Sequence, residues 1–197
     1  MKQPDHPFWD SSLRVHGMPG VPGACLELQR GYALDVNLLF FCCWTAVCEG
    51  RPLGPARLQE AVEAVAGWQE EVVRPVWRAR WRLKGGFGAF PAERTEALRK
   101  ALIAAELDAE QMEQLRLAEA VPVRTREETD DGARLSAAAA NLADCLKACL
   151  PEADGTLAGR PPEGLVRPLA VLLSGAFPGP DGDRIRLELV QALGPQA

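Results

Sequence analysis

The chain has 197 residues, of which 47% are hydrophobic and 25% are charged, a composition typical of one soluble globular domain. Its formal net charge of −5 argues against bulk attraction to nucleic acid or to an anionic membrane, so such contacts would need a local basic patch. The N-terminus lacks the apolar segment of a secretory signal, and the longest apolar run, residues 36–48, is shorter than the ~20 residues that span a bilayer. We therefore expect a soluble, cytoplasmic protein that has no membrane partner.

The periodicity of the apolar residues predicts helices from the first element onward. A short helix is expected from Phe8 to His16, and a second begins near Gly20, with a proline in its first turn. Asp35 is the expected N-cap of a third helix, which is apolar nearly all round and is therefore predicted to be buried at the centre.

A long fourth helix is predicted from about Pro55 to Lys84, with a kink or a break at Pro75 because proline disrupts a helix interior. After a glycine-rich turn, a fifth helix runs from about Ala92 to Ala120. The C-terminal third is predicted to hold an alanine-rich helix, from about residue 133 to 150, and two short helices, near 165–174 and 184–193.

These elements predict an all-α fold, a compact bundle of about six to eight helices without a substantial sheet. We expect residues 1–121 to form a helical core. Residues 122–197 are expected to form a C-terminal helical extension, packed on the same domain and containing a loop at 151–164.

Several residue groups in the N-terminal half are distinctive: Phe8-Trp9, Gly20-Val21, Cys25-Leu26, Leu28-Gln29, Asp35-Val36-Asn37-Leu38-Leu39 and Trp44. This pattern resembles the signature of a family of bacterial conserved hypothetical proteins, a domain of unknown function. Further groups are similar to the second half of that family: Trp68, Val72-Val73, Pro75, Arg78, Leu83-Lys84, Glu106-Leu107 and Glu110. The resemblance covers about residues 8–116 and implies a bacterial, cytoplasmic protein, but it brings no catalytic residues with it.

Polar residues on the third to fifth predicted helices form a candidate cluster. If these helices fold as antiparallel hairpins, Asp35, Arg74 and Glu106 lie at one level of the bundle. Such a cluster would bind a small anionic ligand, because arginine grips carboxylate or phosphate with two parallel hydrogen bonds. The alternative is a helix cap at Asp35 with an ordinary Arg74–Glu106 ion pair. The full candidate cluster is Asp35, Asn37, Gln69, Arg74, Arg78 and Glu106.

A basic, aromatic segment near the end of the fourth predicted helix is a candidate interaction surface. Tryptophan and arginine are favoured where proteins bind one another. The same composition suits nucleic acid less well in an acidic protein. Alternatively, the cations complement the helix dipole while the tryptophans pack in the core. The segment comprises Trp77, Arg78, Arg80, Trp81, Arg82 and Lys84.

Metal, cofactor and nucleophilic chemistry have little support. The six cysteines include no CxxC pair, the only histidines are His6 and His16, and no GxSxG motif occurs. The acidic stripe Glu106, Glu110 and Glu113 lacks the histidines of a di-iron site and is interpreted as a solvated face. We expect no metal and no cofactor, and we lean against an enzyme.

The function most favoured by the sequence is a protein-interaction module that binds a partner protein or itself. The alternative is a protein or enzyme that binds a small anionic molecule at the polar cluster, and a nucleic-acid accessory protein is the weakest of the three.

Asp35→Ala tests the polar cluster. Loss of a helix cap alone should lower the free energy of unfolding by about 1 kcal/mol. Loss of a buried charge partner should lower it by roughly 3–5 kcal/mol. Chemical denaturation measures the difference, and a loss below about 1.5 kcal/mol would contradict the cluster.

Overall fold

The computed structural model describes residues 5–126, 130–150 and 161–194, and in these ranges it contains helices and no strand. The predicted all-α fold is confirmed. The elements are α1 (Pro7–His16), α2 (Val21–Tyr32), α3 (Val36–Glu49), α4 (Pro55–Trp68), a π-helical segment (Gln69–Val73), α5 (Arg74–Arg82), α6 (Ala92–Ala120), α7 (Asp131–Cys149), α8 (Glu163–Ala176) and α9 (Gly182–Leu193).

Helix α3 lies at the centre of the bundle, as its nearly continuous apolar sequence predicts. Residues 36–43 are all buried, and the ring of Phe41 packs edge-on against Phe8 of α1, with 5.4 Å between ring centroids. Asp35 caps the helix, since its Oδ1 accepts hydrogen bonds from the backbone N–H groups of Asn37 and Leu38. At the other end, Gly50 adopts the left-handed conformation that closes many helices.

The long fourth helix of the prediction is interrupted before Pro75, at the π-helical segment. Proline has no N–H to donate, and its ring crowds the carbonyl of the residue four positions earlier. The wider π turn at Gln69–Val73 relieves this conflict without ending the helix, because the residues on either side keep right-handed helical angles. Helices α4 and α5 therefore follow one another with the face of α5 rotated.

The helices beyond residue 121 share the core of those before it. Helix α7 packs along α3, α8 packs on α2, and α9 covers α7 and α8. Gly175 permits the close approach of α8, because a Cβ there would lie 2.8 Å from Cγ2 of Val21. Most of the predicted loop 151–164 falls at 151–160, outside the described residues, and α8 already begins at Glu163. No helix in the described ranges has the length and apolarity to cross a membrane.

Asn141 on α7 holds three parts of the fold together. Its Oδ1 accepts a hydrogen bond of 2.7 Å from the backbone N–H of Leu53. Its Nδ2 donates to the carbonyl of Cys42 at 3.0 Å and to Oγ1 of Thr45 at 3.3 Å. The Asn141 side chain is buried, so if it were removed no water could form these hydrogen bonds with Leu53, Cys42 and Thr45 in its place.

Asn141→Ala should therefore lower the free energy of unfolding by roughly 2–4 kcal/mol, because it leaves the buried N–H of Leu53 unpaired and removes two further buried hydrogen bonds. Ser136→Ala on the same helix is the control: its hydroxyl bonds Glu188 at the surface, and we expect a change within about 0.5 kcal/mol. Denaturation of both variants checks this, and equal losses would contradict the role of Asn141.

Candidate functional site

A chain of buried polar side chains crosses the bundle from α1 to the start of α3. The Ser12 hydroxyl lies 3.0 Å from Oε1 of Gln114, whose Nε2 donates to Oδ1 of Asn37 at 2.8 Å. Asn37 in turn donates from Nδ2 to Oε2 of Glu113 at 2.6 Å. A side-chain hydrogen bond between Glu113 and Asp35 continues this series of polar side chains, which therefore connects α1, α3 and α6.

Asp35 and Glu113 form a buried carboxyl pair in which Glu113 keeps its proton. Burial raises the pKa of Glu113 to about 10, and the nearby Asp35 charge adds to the rise. Burial also raises the pKa of Asp35, but hydrogen bonds from Glu113 and from the backbone of Leu38 and Asn37 lower it. Glu113 is therefore protonated at neutral pH and donates to Asp35. Oδ2 of Asp35 and Oε1 of Glu113 are buried and have no other hydrogen-bond partner among the described residues, so a proton between the two carboxyls would satisfy both.

A cleft of about 420 Å³ lies beside these hydrogen-bonded side chains, between α1, α2, α3, α5 and α6. Four aromatic residues line it: Trp9, Phe40, Trp77 and Trp81. Eight polar residues also line it: Ser12, His16, Gln29, Asn37, Arg80, Glu106, Glu110 and Gln114. The cleft thus combines an aromatic wall with one end of the buried polar chain.

The charged groups of the cleft are an ion pair and a single carboxyl. Arg80 binds Glu106 through two parallel hydrogen bonds, one of them 2.8 Å from Nη2 to Oε1. Glu110 makes no hydrogen bond or ion pair with a described residue. Burial, together with the nearby carboxylates of Glu106 and Asp35, raises the pKa of Glu110 to about 7, although Arg80 opposes the rise. Glu110 is therefore a cleft carboxyl that titrates near neutrality.

A second cavity of about 280 Å³ lies on the other side of the carboxyl pair. Asp35, Gln69, Arg74 and Cys149 are among the residues that line it. Arg74 is already engaged there, since it donates 2.6 Å hydrogen bonds to Glu70 and to the carbonyl of Ala33. The amide oxygen of Gln69 is buried without a donor among the described residues.

The structure divides the predicted polar cluster between these two cavities. Asp35, Gln69 and Arg74 border the second cavity, whereas Asn37 and Glu106 border the large cleft. Arg78 is exposed and lines a small depression next to Arg74. The expected Arg74–Glu106 ion pair is wrong: Glu106 pairs with Arg80, and Arg74 with Glu70. The level assumed for Glu106 in the antiparallel hairpins was wrong because the first turns of α6 extend past the end of α5, which places Glu106 beside Arg80.

The acidic stripe on α6 faces the interior, so its interpretation as a solvated face is wrong. Glu106 is 6% exposed and Glu113 only 1% exposed. Burial of these three carboxyl groups is tolerated because Glu106 forms an ion pair with Arg80, Glu113 keeps its proton, and Glu110 titrates near neutrality. Within the described ranges, no group of three or more histidine, cysteine or acidic residues is placed to hold a metal ion.

The predicted interaction segment is also divided. Trp77, Arg80 and Trp81 line the cleft, whereas Arg78, Arg82 and Lys84 are exposed. Trp81 lies among cations, with Lys84 at 4.5 Å and Arg30 of α2 at 5.2 Å from its ring centroid.

Sequence reasoning missed Ser12 and Gln114 as members of the site. The signal was weak, because each is a single polar residue on a helix that carries many others. Ser12 and Gln114 can be recognised as site residues only from their hydrogen-bond partners on other helices, and those partners follow from the packing of α1, α3 and α6.

Comparison with known proteins identifies the family. Residues 7–117, more than half of the chain, match the family described as "Protein of unknown function (DUF2390)". The chain belongs to this family, which confirms the resemblance noted over residues 8–116. The matched region contains α1 to α5 and nearly all of α6, and so every residue of the large cleft. No curated protein and no solved structure matches the chain.

The raised pKa of Glu110 makes stability depend on pH. Folding favours the protonated form, so this contribution is complete below about pH 4.5 and is lost as pH rises through about 7. Glu110→Gln should remove this loss, so between pH 4.5 and 8 its stability should gain roughly 2–3 kcal/mol relative to the native protein. Urea denaturation across this range measures the effect.

Glu119→Gln is the matched control for Glu110→Gln, because Glu119 lies on the same helix and its side chain is 73% exposed. It should keep the pH dependence of the native protein. If Glu110→Gln follows the native curve as well, Glu110 does not titrate as described.

Proposed function

We propose that the protein binds a small, largely aromatic or apolar molecule bearing one protonated amine, and that the large cleft is the binding site. The observation that carries this proposal is Glu110, a carboxyl without a partner in an aromatic-lined cleft. A carboxyl in that position recognises a group that donates hydrogen bonds and carries positive charge.

The size and lining of the cleft support a small-molecule ligand. Its volume of about 420 Å³ lies within the range of ligand-binding pockets, which combine apolar walls with a few convergent polar groups. The indole N–H groups of Trp77 and Trp81 are buried and have no acceptor among the described residues. Unpaired buried donors are rare, and an acceptor atom on the ligand would satisfy them.

The charges around the cleft favour a cation over an anion. Arg80 is neutralised by Glu106, which leaves Glu110 as the cleft carboxyl without an ion pair to a described residue. The rings of Trp9 and Trp77 add to this preference, since a cation is attracted to the face of a tryptophan, whereas Trp81 already faces Arg30 and Lys84. The anionic ligand predicted from the sequence stays a prediction, and it has less support because Arg74 already binds Glu70 and Ala33.

Binding of such a ligand would depend on pH. A cation beside Glu110 favours its ionised form, so below about pH 7 binding must release a proton from this carboxyl. The affinity should therefore rise with pH through about 7 and level off above it.

Binding has more support than catalysis. Cys25 is the thiol that lines the cleft, and burial raises its pKa to about 12, so it remains an unreactive thiol. Burial lowers the pKa of His16, another cleft residue, and this histidine is neutral at pH 7.

A protein partner that inserts a basic side chain into the cleft is the second candidate function. It is supported by the rim, where Leu13 is 50%, Ile103 39% and Leu107 48% exposed. Exposed apolar residues around a pocket commonly mark a protein interface. A cytoplasmic location fits both candidates, because the cysteines are free thiols, as expected in a reducing compartment.

Three ligands that differ in one group test the proposal: phenethylamine, 2-phenylethanol and phenylacetate, which are a cation, a neutral molecule and an anion. We expect phenethylamine to bind about tenfold more tightly than the alcohol, the value of one charge-assisted hydrogen bond, and phenylacetate to bind least. Ligand-detected NMR and the tryptophan fluorescence of the cleft measure binding. The preference for the amine should be larger at pH 8 than at pH 5.5.

Glu110→Gln should abolish the preference for the amine while leaving the alcohol unaffected, and Glu119→Gln should change neither. Equal affinity of the three ligands, or no binding of any at millimolar concentration, would contradict the proposal.

A further inference from the structure

The loop between α5 and α6, residues 83–91, forms an exposed end of the molecule. Every residue from Lys84 to Arg94 is exposed, α5 contains no buried residue, and Thr95 is the only buried residue of α6 before Glu106. Gly85, Gly86 and Gly88 have φ angles of 85°, 98° and 53°, which residues with a side chain rarely adopt. The sequence thus builds a defined turn here and leaves it uncovered by the rest of the chain.

Two phenylalanines occupy this loop without being buried. Phe90 is 66% exposed and Phe87 is 37% exposed, and their ring centroids lie 5.9 Å apart. The guanidinium of Arg82 lies 5.0 Å from the Phe87 ring centroid. The two rings contact each other at an exposed turn and form a compact apolar patch that is not part of the core.

The loop is surrounded by positive charge. From Arg74 to Ala92 the chain has five basic residues and no acidic one, although the whole protein has a net charge of −5. Arg74 and Arg80 have carboxylate partners, but Arg78, Arg82, Lys84 and Arg94 make no ion pair with a described residue. Glu93 is the acidic residue next to the loop. The local balance is therefore positive around the two phenylalanines.

We propose that this loop docks on an anionic lipid surface. Phe87 and Phe90 enter the interface between head groups and acyl chains, while Arg82, Lys84 and Arg94 bind the lipid phosphates. This division of labour is the usual one for peripheral contact, in which apolar insertion adds to attraction by basic residues.

A lipid surface fits the loop better than an acidic protein does. The loop is a turn with exposed rings rather than a groove, and a protein partner would need a complementary pocket and about 800 Å² of contact on each side. Aromatic rings can insert into the interface of a bilayer without a preformed pocket. The expectation that the protein has no membrane partner came from its net charge and from the lack of a long apolar run, and neither feature measures a local patch.

Sedimentation with vesicles tests this proposal on the full chain. Vesicles of phosphatidylcholine with about one third phosphatidylglycerol should bind the protein, and phosphatidylcholine alone should bind it at least tenfold less well. Binding should weaken when salt is raised, because salt screens the attraction. Poly-glutamate and single-stranded DNA, added in separate experiments, represent an acidic protein and a nucleic acid.

Two double variants separate insertion from charge. Phe87→Ala with Phe90→Ala should lower binding at least tenfold, and Arg82→Gln with Lys84→Gln should lower it by about fivefold per cation removed. These side chains are exposed, so folding should be unaffected, which circular dichroism checks. Leu187→Ala and Arg116→Gln, at exposed positions far along the chain, are the controls and should bind as the native protein does.

Failure of the native protein to bind anionic vesicles would overturn the proposal, as would equal binding to both lipid compositions or full binding by the double variants. Tight binding of poly-glutamate or DNA without vesicle binding would also overturn it and assign the loop to that partner. None of these outcomes involves the cleft, so the ligand proposal is tested separately.

Discussion

The shared proton between Asp35 and Glu113 is the interaction on which the arrangement of the core depends. Two carboxyl groups can be buried side by side only if one of them stays protonated, because two like charges in a low-dielectric interior repel strongly. Glu113 keeps the proton, and Asp35 receives the amide hydrogen bonds at the start of α3. This fixes the level at which α6 packs against α3, and Asn37 and Gln114 extend the same link to α1.

The cleft follows from this packing. Once Glu113 is turned toward Asp35, helical periodicity places Glu106 and Glu110 on the neighbouring part of the same face of α6. Both then point toward α2 and α5 rather than toward water. Arg80 neutralises the first, and the second remains as a carboxyl that titrates near neutrality. The core and the candidate site thus use one acidic face of α6, and the aromatic residues of α1 and α5 enclose its outer part.

The sequence predicted the helices well because each has strong local signals. Asp35 caps α3 as expected, and α6 runs from Ala92 to Ala120 as the pattern indicated. Contacts between helices were harder to predict. The register between α5 and α6 was misjudged, so Arg74 was paired with Glu106 in place of Arg80. The inward orientation of Glu113 was missed because a glutamate at a helical surface position is usually solvated. Only its partner across the bundle makes burial tolerable, and that partner lies 78 positions away in the chain.

The π-helical segment has a consequence for how the wall of the cleft is assembled. A π turn inserts about one extra residue into a helix, which turns everything after it by roughly 100° about the helix axis. Removing a single residue between Gln69 and Val73 would restore ordinary helical winding and swing α5 by the same angle. Trp77 and Trp81 would then leave the space beside α2, and a different side of α5 would close it. The composition of this wall is therefore determined by the length of a five-residue segment that does not itself line the cleft.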